Sequence, residues 1–92
     1  MVWKQRGIIR RDNRLVASEN SIIEFSNDDT NYLQVVIYQN GFPVLIGYGM
    51  KGNAKLKLSR AGFSLKGAAT IDIRAYTNTG SEQKLKGNLE II

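Results

Sequence analysis

"YLQVVIYQNGFPVLIGYGM", residues 32–50, decides the fold. In its first half Leu33, Val35 and Ile37 fall on one face of an extended chain, while Gln34 shares the other with Tyr32, Val36 and Tyr38. A repeat of two belongs to a strand, whose successive side chains point to opposite faces, and not to a helix. Asn40-Gly41 then interrupts the pattern. Both residues tolerate positive φ, as a type I′ turn demands, so 32–39 and 43–50 are expected to pair as a hairpin. Pro43 lacks an N–H and suits the start of a strand or a sheet edge. Gly47 and Gly49 flank Tyr48 inside the second strand, which points to a bulge or a close backbone approach. These glycines match neither a dinucleotide fingerprint nor a phosphate-cradling loop, because the spacing differs and no helical pattern follows.

The same alternation recurs on both sides of this hairpin. In "AKLKLS" Ala54, Leu56 and Leu58 oppose Lys55 and Lys57; in "TIDIRAY" Ile71, Ile73 and Ala75 oppose Asp72, Arg74 and Tyr76. In "KLKGNLEII" Leu85, Leu89 and Ile91 oppose Lys84, Lys86, Asn88 and Glu90. One buried and one wet face is the signature of antiparallel strands. Turn-forming residues separate them at short intervals, and strands are expected near 2–11, 14–17, 20–26, 32–39, 43–50, 54–59, 69–76 and 83–91. The segment "RAGFSLKGA" fits a helical turn or a loop. Residues 1–92 are therefore expected to form a single all-β domain, an immunoglobulin-like antiparallel β-sandwich of seven or eight short strands, with a small β-barrel as the alternative.

Composition narrows the chemistry. The chain has no Cys and no His, which removes disulfides, thiolate metal sites, the commonest general base and the triad imidazole. Its acids are dispersed, and the one tight group, "NDDTN" at 27–31, has the composition of a turn. No catalytic residue, metal ligand or cofactor is expected, and the chain does not read as an enzyme. "MVWKQRGIIRR" is charged from Lys4 onward and has no apolar core of secretory-signal length. The apolar run from Phe42 to Met50 is too short for a spanning helix, so a soluble protein is expected.

Charge carries the clearest functional signal. The net charge is +5, with Lys4, Arg6, Arg10, Arg11 and Arg14 near the N-terminus and Lys51, Lys55, Lys57, Arg60 and Lys66 in a stretch without acids. Glu19, Glu24, Asp28 and Asp29 make the intervening 19–29 acidic. A basic patch on one subunit can meet an acidic one on the next and fix the register between them. Partner contacts are accordingly expected at Trp3, Arg6, Arg10 and Arg11, where a Trp and neighbouring guanidinium groups form a hot-spot composition. Tyr38, Phe42 and Tyr48 gather around the hairpin in sequence and could offer a stacking platform to protein or sugar. Packing is the plainer account of these aromatics: Trp3 under a sheet edge, the tyrosines capping the core.

The run from Ile22 to Leu58 resembles the opening half of the N-terminal β-sandwich of phage upper baseplate proteins. The matching positions are Asn27, Asp28 and Thr30 in the first turn and Asn40, Gly41, Pro43 and Val44 at the hairpin. Beyond Pro43-Val44 the chain has Leu45-Ile46-Gly47 where that family has an Asp-Leu-Thr-like step, and the family's long C-terminal extension has no counterpart. The resemblance implies a virion structural protein, either an attachment module or a capsid-decorating protein, assembled in the host cytoplasm. Its partners would be other virion proteins and further copies of itself, with no membrane involved. Two other readings follow from the residues alone: a small basic barrel that binds single-stranded nucleic acid, and a carbohydrate-binding module.

Overall fold

Nine strands and one 3-10 turn make up the protein in the computed structural model, which describes residues 4–92. The strands are β1 (Lys4–Arg6), β2 (Ile9–Arg11), β3 (Arg14–Ala17), β4 (Ile22–Ser26), β5 (Thr30–Gln39), β6 (Phe42–Met50), β7 (Asn53–Lys57), β8 (Gly67–Thr77) and β9 (Glu82–Ile91). They form two unequal sheets packed face to face, one of three strands ordered β1-β4-β7 and one of six ordered β2-β3-β9-β8-β5-β6. The fold is a β-sandwich.

The alternating sets meet between the sheets. Leu33, Val35 and Ile37 of β5 face Ile23 and Phe25 of β4 and Leu56 of β7 across one core, joined by Ile71, Ile73 and Ala75 of β8. Asn40 and Gly41 both have positive φ, 53° and 81°, as the type I′ turn requires. A Cβ at Gly41 would touch nothing within 4 Å, so the backbone conformation alone restricts this site. Gly41→Val is expected to lower stability by about 2 kcal/mol, since the left-handed region is costly for a β-branched residue. A urea unfolding midpoint equal to the parent's would count against it.

The "NDDTN" stretch is a structural tie. Asn27 is buried; its Oδ1 accepts the N–H of Asp29 at 3.0 Å, and its carbonyl accepts the Thr30 hydroxyl at 2.9 Å. Its own N–H donates to the Gly52 carbonyl at 2.8 Å, which locks the β4–β5 turn to the β6–β7 turn.

The structure departs from the sequence expectations in several places. The N-terminal strand expected over 2–11 is two strands in different sheets. Gly7 divides it, at φ 77° and so close to Ile22 that a Cβ would lie 2.1 Å from that carbonyl oxygen. Strand pairing is not wholly antiparallel either: β3 and β9 run parallel, placing Leu15 beside Leu89 and Ala17 beside Ile91. These strands are far apart in sequence, so no hairpin dictates their relative direction. Where the sequence left a helical turn or a loop open at 60–68, the structure has the end of a 3-10 turn over Leu58–Ala61 and then a loop up to β8, with Phe63 exposed on that loop. Leu85 lies on the core side of β9 yet is 47% exposed, because three strands cannot cover the inner face of six.

Candidate protein-binding face

β6 is built with its small residues inward. Gly47 and Gly49 point to the core side, where a Cβ at Gly49 would lie 1.7 Å from the Asn53 carbonyl oxygen. This lets β6 turn the corner against β7 at backbone contact distance. The large residues that alternate with the glycines, Ile46, Tyr48 and Met50, are consequently forced onto the outer face of the six-stranded sheet. They are 52%, 68% and 72% exposed.

The neighbouring strands extend this surface. Register places Tyr32 beside Met50 and Tyr76, Gln34 beside Tyr48 and Arg74, and Val36 beside Ile46 and Asp72. Tyr32 stacks on Tyr48 with ring centroids 6.5 Å apart and planes at 27°, and lies 6.0 Å from Tyr76 at 46°. Such spacing is the favourable offset or tilted arrangement of aromatic pairs. The result is a rigid aromatic and aliphatic patch on adjacent strands. Its polar flank continues across β8 and β9, where Arg74 lies beside Lys84 and Asp72 beside Lys86. Complete burial of a large apolar side chain yields about 1.5–3 kcal/mol, so covering Ile46, Tyr48 and Met50 together offers about 3–6 kcal/mol at their exposures.

The residues singled out from the sequence are distributed over several surfaces. Trp3 lies outside the described residues. Arg6 stands on the outer face of the small sheet beside Glu24; Arg10 is on the core side of β2, paired in register with Leu15; Arg11 faces outward next to Arg14. The bend at Gly7 is what separates Arg6 from the other two, so the three do not form one contact cluster. Tyr38, Phe42 and Tyr48 do not form one platform either. Tyr48 belongs to the aromatic patch, whereas Tyr38 lies at the opposite end of the sheet in an open groove of about 610 Å³ with Arg14, Thr70, Asn88 and Glu90. Phe42 projects at the hairpin, 71% exposed, opposite Gln39. None of the three caps the core. Tyr32, Ile46, Met50 and Tyr76 complete the patch and were not singled out. Their signal was present in the alternation: Tyr32, Val36 and Tyr38 make the second face of β5 nearly as apolar as its first, and β6 alternates bulk with glycine.

A second surface has the opposite character. On the outer face of the small sheet Lys4, Arg6, Lys55 and Lys57 share their rows with Glu24, Ile22, Ser26 and Asn53. Lys55 Nζ lies 3.4 Å from the Glu24 carboxylate, and Lys4 Nζ 4.0 Å from that of Asp28. Lys4 and Arg6 from the first basic segment and Lys55 and Lys57 from the second thus meet on one sheet, while Arg10, Arg11 and Arg14 belong to the other. Among the described residues no three carboxylates gather to hold a metal ion, and no helix is long and apolar enough to cross a membrane.

No protein-family profile matches the chain, and no curated protein matches it in sequence. Among solved structures it is similar to CopC from Methylosinus trichosporium OB3b, with a TM-score of 0.64 over 87% of this chain and 84% of that one. The two are 12% identical, so the likeness extends to the β-sandwich fold alone.

Proposed function

We propose that the chain is a non-enzymatic assembly protein that packs against neighbouring protein subunits through the aromatic face of its six-stranded sheet, in several copies within a symmetric particle. The row Ile46, Tyr48 and Met50, exposed beside Tyr32, which stacks on Tyr48 and is tilted against Tyr76, carries this reading. An apolar cluster exposed on a sheet face is the composition of an interface core, and its Arg74 and Lys84 flank resembles a polar rim. The resemblance of residues 22–58 to the phage upper baseplate sandwich supports a virion as the setting, with other virion proteins or further copies as neighbours. Measuring the mass of the native protein, alone and with Tyr48→Asp and Met50→Asp together, tests the reading; a parent that stays monomeric and joins no particle counts against it.

The basic face of the small sheet favours a second reading, binding of single-stranded nucleic acid. Lys55→Gln with Lys57→Gln separates the two. Both lysines are exposed; Glu24, the partner of Lys55, is 18% exposed and keeps its neighbour Arg6, so the loss should be about 1 kcal/mol and the fold should persist. Unchanged association in this variant is the expected outcome. Steeply salt-dependent binding of oligo-dT by the parent, lost in the variant, would move the assignment to nucleic acid.

A further inference from the structure

The first half of β9 is a sheet edge inside the sheet. On one side β9 pairs with β8 along its whole length, from Tyr76 opposite Glu82 to Gly67 opposite Ile91. On the other side β3 accompanies it only from Leu89 to Ile91. Among the described residues no strand pairs with Glu82–Asn88 on that side, because β3 begins only at Arg14 and the Asp12-Asn13 turn folds the chain back into β2.

The polarity of this edge can be read from the last residue. The N–H of Ile92 donates to the Ala17 carbonyl and its carbonyl accepts from the Glu19 N–H, both toward β3. The register of β9 with β8 is unbroken, so the period of two directs the backbone N–H and C=O of Glu82, Lys84 and Lys86 toward the same side, which is open. From Glu82 to Lys86 every residue is exposed. A free row of donors and acceptors is a template for another strand.

The side chains define what that strand must be. On the outer face it would run beside Glu82, Lys84 and Lys86, where Lys84 Nζ lies 3.6 Å from the Glu82 carboxylate and Lys86 lies beside Asp72. Toward the core it would run beside Leu85 and Gly87, over a cleft of about 210 Å³ lined by the apolar Leu15, Phe25, Ile71 and Ile73 and also by Gln5, Arg10 and Asn13. The cleft persists because Gly87 has no side chain to fill it: a Cβ there would only just reach Ile71 and Leu15, at 3.7 and 3.8 Å. The lysines also argue against a second copy of this edge, since like charges would meet across the new pair.

The geometry points to strand addition at β9: this edge accepts an extended segment of a partner protein whose side chains alternate between acidic and apolar. The acidic ones meet Lys84 and Lys86, and the apolar ones enter the cleft between the sheets. The site meets the aromatic face only at its polar flank, where Lys84 lies beside Arg74; β8 and β5 separate it from β6 and its row Ile46, Tyr48 and Met50.

A fluorescein-labelled heptapeptide of alternating Glu and Val, titrated at low salt and followed by anisotropy, tests this. Saturable binding is expected, with the amides of Lys84 and Lys86 becoming protected from hydrogen exchange. Lys84→Glu with Lys86→Glu should weaken binding by about tenfold, in keeping with two surface charge pairs. The variant should instead accept a heptapeptide of alternating Lys and Val, and a Glu–Val peptide with every backbone N–H methylated should not bind the parent. Tyr48→Asp with Met50→Asp should leave peptide affinity unchanged, so failure here and failure of the assembly reading are told apart. The inference is overturned if the Glu–Val peptide does not bind, if its affinity survives both charge reversal and methylation, or if Lys84 and Lys86 are protected by self-association without peptide.

Discussion

Replacing Gly49 with alanine is expected to destabilise the sandwich more than any surface change, by about 3 kcal/mol or more, out of about 5–14 kcal/mol for a chain of this size. The reason lies at the corner where β6 leaves the large sheet and β7 enters the small one. A methyl group at position 49 would lie 1.7 Å from the Asn53 carbonyl oxygen and 3.0 Å from its carbon. Both atoms are backbone, held by the turn through Lys51 and Gly52, and the N–H of Lys51 is bonded to the Asn31 carbonyl at 2.7 Å. Neither can swing aside as a side-chain tip could, so relief would require the two sheets to separate at this corner. Gly47→Ala is expected to be milder, because its two nearest atoms, at 2.5 and 2.7 Å, belong to the Leu56 side chain and the backbone oxygen it meets, that of Lys55, lies at 2.9 Å. Urea denaturation of both variants checks the order; a Gly49→Ala midpoint equal to the parent's would mean the corner is wider than described.

This corner also shows how much of the fold the chain declares. Alternation in residues 32–50 and 69–76 assigns each side chain to a face, and the core-side members of β5 and β8 are buried as that parity requires. The Asn40-Gly41 hairpin was equally legible, because its chemistry is local. What parity does not carry is the width of the opposing layer. Leu85 has the parity of Leu89 and Ile91, yet only the latter two are covered. The division of the N-terminal strand was hidden for a related reason. A lone Gly7 in a charged run gives no sign that its neighbours join different sheets, and only the approach of Ile22 shows why glycine is needed there.

For the candidate site the sequence offered residue types but not their grouping. Tyr48 was visible as an aromatic near a turn, but its companions Tyr32 and Tyr76 come from strands paired across the sheet. The three arginines at 6, 10 and 11 are neighbours in sequence only. In both cases tertiary pairing decided which chemistry shares a surface. Among the described residues nothing packs on the outer face of the large sheet, and its inner face is only partly covered. An isolated domain gains nothing from either surface, whereas a subunit among neighbours can use both.

Tyr48→Asp combined with Met50→Asp is expected to abolish association while leaving the fold intact. The two side chains are 68% and 72% exposed, so charging them removes little that holds the isolated domain together. The loss within the fold is the Tyr32–Tyr48 stacking, worth about 0.5–1.5 kcal/mol. At an interface the same substitution removes two buried apolar groups and leaves carboxylates where water is excluded. Losing about 3 kcal/mol of apolar burial corresponds to roughly a hundredfold weaker association, before any penalty for the buried charge. Phe63→Asp is the matched control, an exposed apolar residue on the loop after the 3-10 turn and outside the β5–β6–β8 patch. Sedimentation of the three proteins over a range of concentrations decides the matter: parent and control should assemble and the double variant should not. Equal behaviour of all three would show that the aromatic face is not the contact surface, and a double variant that unfolds would show that Tyr32, Tyr48 and Tyr76 serve the fold itself.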